Sequence, residues 1–223
     1  MKISRLSKLF ILVVCLGLVG GGILVYRIFF VRLIRVPTGA MMNTILPGDQ
    51  LVVYRSSSDI VRGSVVMFQY PDDSNRYVAR VIGLPGETIE IRQRAIYING
   101  EELPEEKVLV GPEFTTLMER LQEISVESFG PYRVYYTQRA DAESIEVPAA
   151  EAANFGVVAP FRIGDAQFFL LGDNRDNSED SRYRGPVPRE LIWGTVSMVY
   201  WSAFRDSNQE EHVRSDRVFH KIR

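Results

Sequence analysis

The chain has 223 residues, 46% apolar and 24% charged, with a formal charge of -2, the profile of a folded protein with a sizeable core and one or two domains. So near-neutral a balance lacks the strongly basic face that nucleic acid requires. A single cysteine, Cys15, excludes a disulfide framework or a cysteine zinc site, and the only histidines, His212 and His220, lie in a polar C-terminal stretch; neither a metal centre nor a cofactor is expected.

Near the N-terminus, "LFILVVCLGLVGGGILVY" (Leu9 to Tyr26) runs for about 18 residues without a charge, the length that crosses a bilayer as a helix. Lys2, Arg5 and Lys8 precede it, and Arg27, Arg32 and Arg35 follow. A cleaved signal peptide has an apolar region of only about 7–15 residues and a small-residue cleavage site, neither of which fits. Residues 1–35 therefore read as a cytoplasmic stub and an uncleaved signal anchor, single-pass in the cell membrane, with the body on the exported side.

After Val36 the runs "QLVVYR", "SVVMFQY", "YVARVIGL", "TIEIRQRAIYING", "YRVYYTQ", "AQFFLLG" and "WGTVSMVYWSA" are rich in β-branched and aromatic residues. Breakers such as "PGD", "RGS", "PDDSN" and "LPGE" separate them. The expected fold is mainly β: a curled antiparallel sheet following the N-terminal helix, with residues 36–100 and 165–205 as one β domain. "IEIRQRAIYING" has the form of a hairpin. The stretch 101–164 turns acidic and alanine-rich and reads as an inserted second lobe, with "EFTTLMERLQEISVES" helical in composition; residues 206–223 form a polar tail.

"VPTGAMMNTILPGDQLVV" (Val36 to Val53) has the rhythm of a loop that presents a nucleophile, yet the useful position holds Ala40. "GDNRDNSEDSR" reads, by itself, as a polar turn or an acidic calcium loop; the EF-hand ligand spacing and terminal glutamate are absent. Taken in order, "VPTGAMMNTILPGDQLVV", "RGSVVMFQYP", "YVARVIGLPGETIEI" and "FFLLGDNRDNSEDSRYRGPV" strongly resemble the bacterial type I signal peptidases, membrane-bound serine endopeptidases that remove signal peptides from exported proteins. The resemblance is close over 36–92 and 160–202 and loose between.

The resemblance implies a serine nucleophile activated by a lysine whose pKa is depressed by burial. The nucleophile position falls on Ala40 and the lysine position on Ala79, while Arg80 stays in pattern. Thr38 matches the hydroxyl that helps a backbone N–H bind the oxyanion. Ser178 matches a serine that orients the lysine, and Asp180 and Arg182 match a charged pair that shapes the site. Met41 and Met42 would contact substrate, and Asn43 departs from the usual proline. Replacement groups are not evident: Ser56, Ser57 and Ser58 have no lysine near them in sequence, and past the anchor the lysines are Lys107 and Lys221.

The implied partners are signal peptides of exported preproteins and the lipid bilayer, with Met41, Met42 and Phe68 expected to be partly exposed beside a peptide groove. Two functions stand: a signal peptidase seen as an inactive variant that still binds substrate, or a natural non-catalytic paralogue serving as a peptide-binding or assembly factor of the cell envelope.

Overall fold

Runs of β-branched and aromatic residues pack well on a pleated surface, and they become strands throughout the body. The computed structural model describes residues 5–55, 60–92, 95–110, 133–137, 159–206 and 208–222. Helix α1 (Arg5–Phe30) leads directly into strand β1 (Val31–Arg35). Then come β2 (Asp49–Arg55), β3 (Val65–Phe68), β4 (Tyr77–Gly83), β5 (Thr88–Arg92), β6 (Ala95–Ile98) and β7 (Glu101–Glu102). Next are β8 (Glu106–Val110), β9 (Arg133–Thr137), β10 (Phe161–Arg162) and β11 (Gln167–Leu171). The chain closes with the short helix α2 (Ser181–Arg184), β12 (Val187–Pro188), β13 (Ile192–Arg205), β14 (Glu211–Val213) and β15 (His220–Lys221).

The main sheet has nine strands in the order β1-β2-β13-β3-β4-β11-β12, with β14 and β15 added on β13. Its pairings are antiparallel, and register shifts within β13 between Val196 and Met198 and between Val199 and Trp201 bend the sheet along its longest strand. A second sheet, β10-β5-β6-β7, contains the expected hairpin: Ile89 pairs with Ile98, and the turn after β6 puts Asn99 at φ 53° and Gly100 at φ 87°. These left-handed values suit an Asn-Gly turn between paired strands. One pairing departs from the antiparallel expectation, since β8 and β9 run parallel.

Strands β4 and β11 carry two cores. Ala79, Val81, Phe168 and Leu170 join one apolar cluster with Val66, Phe68 and Tyr70, while Ile82, Phe169 and Leu171 join another with Ile89 and Ile96 of the second sheet. This is the two-residue side-chain period of a strand buried on both faces. A third cluster joins Leu51 and Val53 to Val196, Val199 and the loop residues Met41 and Ile45.

Three expectations need amendment. Residues 31–35, read as part of the anchor, pair with β2, because Val31, Leu33 and Ile34 suit a strand as well as a membrane segment. Phe68 and Met41, expected partly exposed, are each 2% exposed; their neighbours are core apolar groups. The polar tail folds onto the sheet, with Arg214 and Arg217 buried. The side chains described in α1, Ile11 to Gly22 with Tyr26 and Phe30, are all exposed; among the described residues no helix is long and apolar enough to cross a membrane. "EFTTLMERLQEISVES", "DAESIEVPAAEAANFG" and Ser56 to Ser58 lie outside the described residues.

Candidate functional site

The loop carrying Ala40 is closed at its neck, where Val36 N–H donates to the Asp49 carbonyl at 2.9 Å and Gly48 N–H to the Val36 carbonyl at 2.8 Å. Inside it, Met42 N–H donates to the Gly39 carbonyl and Ile45 N–H to the Met41 carbonyl, winding residues 39–45 into successive turns. Asn43 sits at φ 79°. Asparagine tolerates this left-handed conformation, whereas proline, fixed near about -65°, is excluded from it. The departure at Asn43 is therefore tied to how this loop turns.

The segment after β11 forms the facing wall. Asn174 N–H donates to the Ala40 carbonyl at 3.0 Å, and its side-chain amide donates to the Gly39 carbonyl at 3.0 Å. Asp173 N–H reaches the Met41 sulfur at 3.4 Å, and the Thr44 hydroxyl donates to the Asp173 carboxylate at 2.6 Å. Arg80, beside Ala79 on β4, grips that same carboxylate through Nε at 2.8 Å and Nη2 at 2.6 Å. Asp173 is fully buried and Arg80 nearly so, giving a two-pronged ion pair that joins three remote stretches of chain.

Glycine at 172 is required by close approach. Leu171 pairs with Arg80, so one step further along the register places Gly172 beside Ala79. A Cβ at Gly172 would meet the Ala40 carbonyl oxygen at 2.6 Å and the Ser178 hydroxyl nearer still. By the alternation along β11, that direction lies on the face shared by Leu170 and Ala79. The Ala40 carbonyl and the Ser178 side chain thus close on Gly172, with Ala79 its neighbour by register, 3% exposed among apolar side chains.

Asp180 supports this arrangement from behind. Its carboxylate accepts from Gly172 N–H at 3.0 Å and from Arg182 Nε and Nη2 at 2.8 and 2.9 Å, and it caps α2 through Arg182 N–H. Burial opposes the charge on Arg182, but the Asp180 carboxylate outweighs it and raises the arginine's pKa. In the Ala79 cluster the Tyr70 hydroxyl is buried and finds no hydrogen-bond partner among the described residues; burial, then the charge of Asp180, pushes its pKa up. Thr38 is exposed at the rim, and Met42 is half-buried against Gly39.

Sequence reasoning missed Gly172, Asp173 and Asn174 as individual contributors, although all belong to the quoted "FFLLGDNRDN" block. It also missed Asp49, fully buried, which accepts from Leu46 N–H, the Ser202 hydroxyl and Arg217. Arg217 reaches on to the Thr44 carbonyl and Arg214 to that of Pro47, so the C-terminal stretch holds the loop in place. For a metal, the described residues offer Asp206, Glu210 and His212, whose ligand atoms lie within 4.8 Å of one another. Asp206 is already taken by His212 and by the N–H groups of Asn208 and Glu210, bonds that close the turn before β14.

The sequence model of the family "Signal peptidase, peptidase S26" matches residues 4–201. Signal peptidase I of Pseudomonas aeruginosa is 31% identical over 189 residues, covering 76% of this chain and 62% of the relative; the chain thus spans less than two thirds of that protein. Signal peptidase I of Rickettsia canadensis is 30% identical over 263 residues, covering 96% of this chain and 92% of the relative. A crystal structure of a signal peptidase I from Enterococcus faecalis is 27% identical with a TM-score of 0.38, covering 63% of this chain and 98% of the other.

Proposed function

The chain belongs to the signal peptidase, peptidase S26 family, and from that premise we propose that it binds the signal peptides of exported preproteins but does not cleave them. Ala40 stands at the nucleophile position and Ala79 at the general-base position. What supports this reading is the approach of the Ala40 carbonyl and the Ser178 side chain to Gly172, whose neighbour by register is Ala79, with Asp173, Arg80, Asp180 and Arg182 all engaged nearby. In this reading the scaffold of a Ser/Lys site is kept while the two reacting side chains are methyl groups. Thr38 supplies the oxyanion hydroxyl, the backbone N–H at Ala40 the second donor, and Ser178 the hydroxyl that would orient a lysine. A lysine at 79 would enter the apolar cluster of Val66, Phe68, Tyr70 and Leu170, where desolvation lowers the pKa of an ammonium.

The peptide binds extended, adding a strand at a sheet edge near Ala40, with Met42 beside it and Met41 shaping the floor from the core. Small residues at alternate positions are favoured. Helix α1 anchors the protein in the cell membrane with the N-terminus cytoplasmic; the exposed apolar side chains from Ile11 to Val19 support this reading. The division into residues 36–100 with 165–205 as the β domain and 101–164 as an inserted lobe belongs to the same reading.

Cleavage of a preprotein in detergent by all four combinations at positions 40 and 79 tests it. The chain as it stands, Ala40→Ser alone and Ala79→Lys alone are expected to be inactive, and the double variant active. Turnover by the unmodified chain at the double variant's rate would put the reacting groups elsewhere. An inactive double variant that still binds the peptide would favour the natural non-catalytic paralogue.

A further inference from the structure

Gly172, on which the Ala40 carbonyl and the Ser178 side chain close, is held through both of its backbone polar groups. Its N–H donates to the Asp180 carboxylate at 3.0 Å, and its carbonyl accepts from Arg175 Nε at 3.0 Å. Each of these two side chains is fixed by an ionic partner. Asp180 takes Arg182, which also donates to the Arg175 carbonyl at 2.6 Å and so closes the segment on itself. Arg175 takes Glu105, 70 positions away in sequence, through Nη1 at 3.0 Å and Nη2 at 2.5 Å. The Arg175 and Glu105 side chains are 2% and 0% exposed.

Glu105 comes from outside the site. It immediately precedes β8, whose first residue, Glu106, pairs with Arg133 at the start of β9. β9 passes beside residues 175–177, and its Val134 is fully buried. A carboxylate that takes both Nη atoms fixes the plane of a guanidinium, and with it the direction of the Nε–H. Here that N–H meets the Gly172 carbonyl. Glu105 therefore sets the position of a carbonyl that it does not itself hold. A glutamine in its place would keep the volume, but its amide offers a single acceptor oxygen and turns a donor toward the guanidinium.

We propose that Glu105 is a positioning residue of the peptide site, acting through Arg175 on Gly172, and that it couples the β8–β9 pair to the wall facing Ala40. The proposal rests on the reading of that site as the place where a signal peptide binds. Such coupling is reciprocal: a peptide that settles the Ala40 loop against residues 172–178 also steadies β8 and β9, and a disturbance of β8 and β9 loosens the site.

The test titrates the full chain in neutral detergent with a fluorescein-labelled synthetic signal peptide carrying alanine at alternate positions, read by anisotropy. Amide exchange is followed with and without the peptide. Glu105→Gln should weaken binding about tenfold, while Glu105→Asp, which keeps the charge, should stay within about threefold. In Glu105→Gln, exchange should rise about tenfold at Asn174, whose N–H donates to the Ala40 carbonyl, and stay within about twofold at Ile222, bonded to Ser197 of β13. A merely structural loss of stability would move both amides together. In the parent chain the peptide should slow exchange at Val134 and Tyr135 of β9 as well as at Asn174, and the effect on β9 should be lost in Glu105→Gln. Equal affinity of the parent and Glu105→Gln, a rise at Asn174 no larger than at Ile222, or a parent β9 unaffected by the peptide would each overturn the proposal; the last applies even where Glu105→Gln fails to fold. A parent chain that does not bind the peptide would overturn the reading of function and the proposal with it, whereas a parent that binds no better than Glu105→Gln sinks the positioning role alone.

Discussion

At Gly172 a hydrogen stands where any other residue would put a carbon, 2.6 Å from the Ala40 carbonyl oxygen. Gly172→Ala must push the Ala40 loop or the Ser178 segment outward. We expect a stability loss of about 1–3 kcal/mol by urea unfolding and at least tenfold weaker signal-peptide binding; affinity equal to the parent's would show that the close packing is not needed. Arg80 and Asp173 set up a second test, since removing one partner strands the other as a buried charge. Arg80→Ala or Asp173→Ala should each cost about 3–5 kcal/mol, while an unfolding midpoint within error of the parent would contradict the pair's role. The sequence made Arg80 visible because it sits in a recognisable motif. Its partner was not legible, because the two are 93 positions apart and nothing local marks the pairing. Asn43 was legible only as a departure; the positive φ gives that departure its physical content.

The C-terminal elements act on the site from outside it. β14 and β15 lie on β13, and between them Arg214 and Arg217 reach the loop that follows Ala40. Charge and polarity made this stretch look like surface, since a sequence does not show that its arginines have a buried carboxylate waiting in Asp49. Arg217→Ala is expected to cost about 3 kcal/mol and to raise hydrogen exchange at Leu46 and Gly48; exchange there equal to the parent's would sever the link. A pH effect belongs here too. Burial, then Arg217, holds His220 below its ordinary pKa of 6.5, so the unfolded chain binds its proton more readily than the folded one. That contribution is complete above 6.5 and is lost as the pH falls through this value toward the lower folded pKa. Protection of the Ile222 amide, which donates to the Ser197 carbonyl, should weaken over this window. The weakening should vanish in His220→Gln; its persistence would assign the effect to another group.

For the whole molecule, strand content and an antiparallel, curled architecture were readable from composition and turn signals, and the strand β1 was not, because "VRLI" serves a membrane run and a strand alike. The described side chains of α1 are all exposed, so the helix adds little to the body's stability. A chain starting at Val31 should melt within about 4 °C of the full protein, the shift that about 1 kcal/mol produces at this size; a larger drop would reveal packing by the helix. β13 has a further consequence, in the order of events during synthesis. β2 finds β1 at once, but its other edge awaits a partner whose Gly194 arrives about 140 residues after Arg55. Until then the nascent chain carries an open strand edge, the kind that captures neighbouring chains, and closing so long a loop is slow. Arg217, which secures the loop beyond Ala40, emerges later still. The loop that carries Ala40 therefore gains this brace only after Arg217 has been made, so the proposed peptide groove takes its final form later than the strands around it.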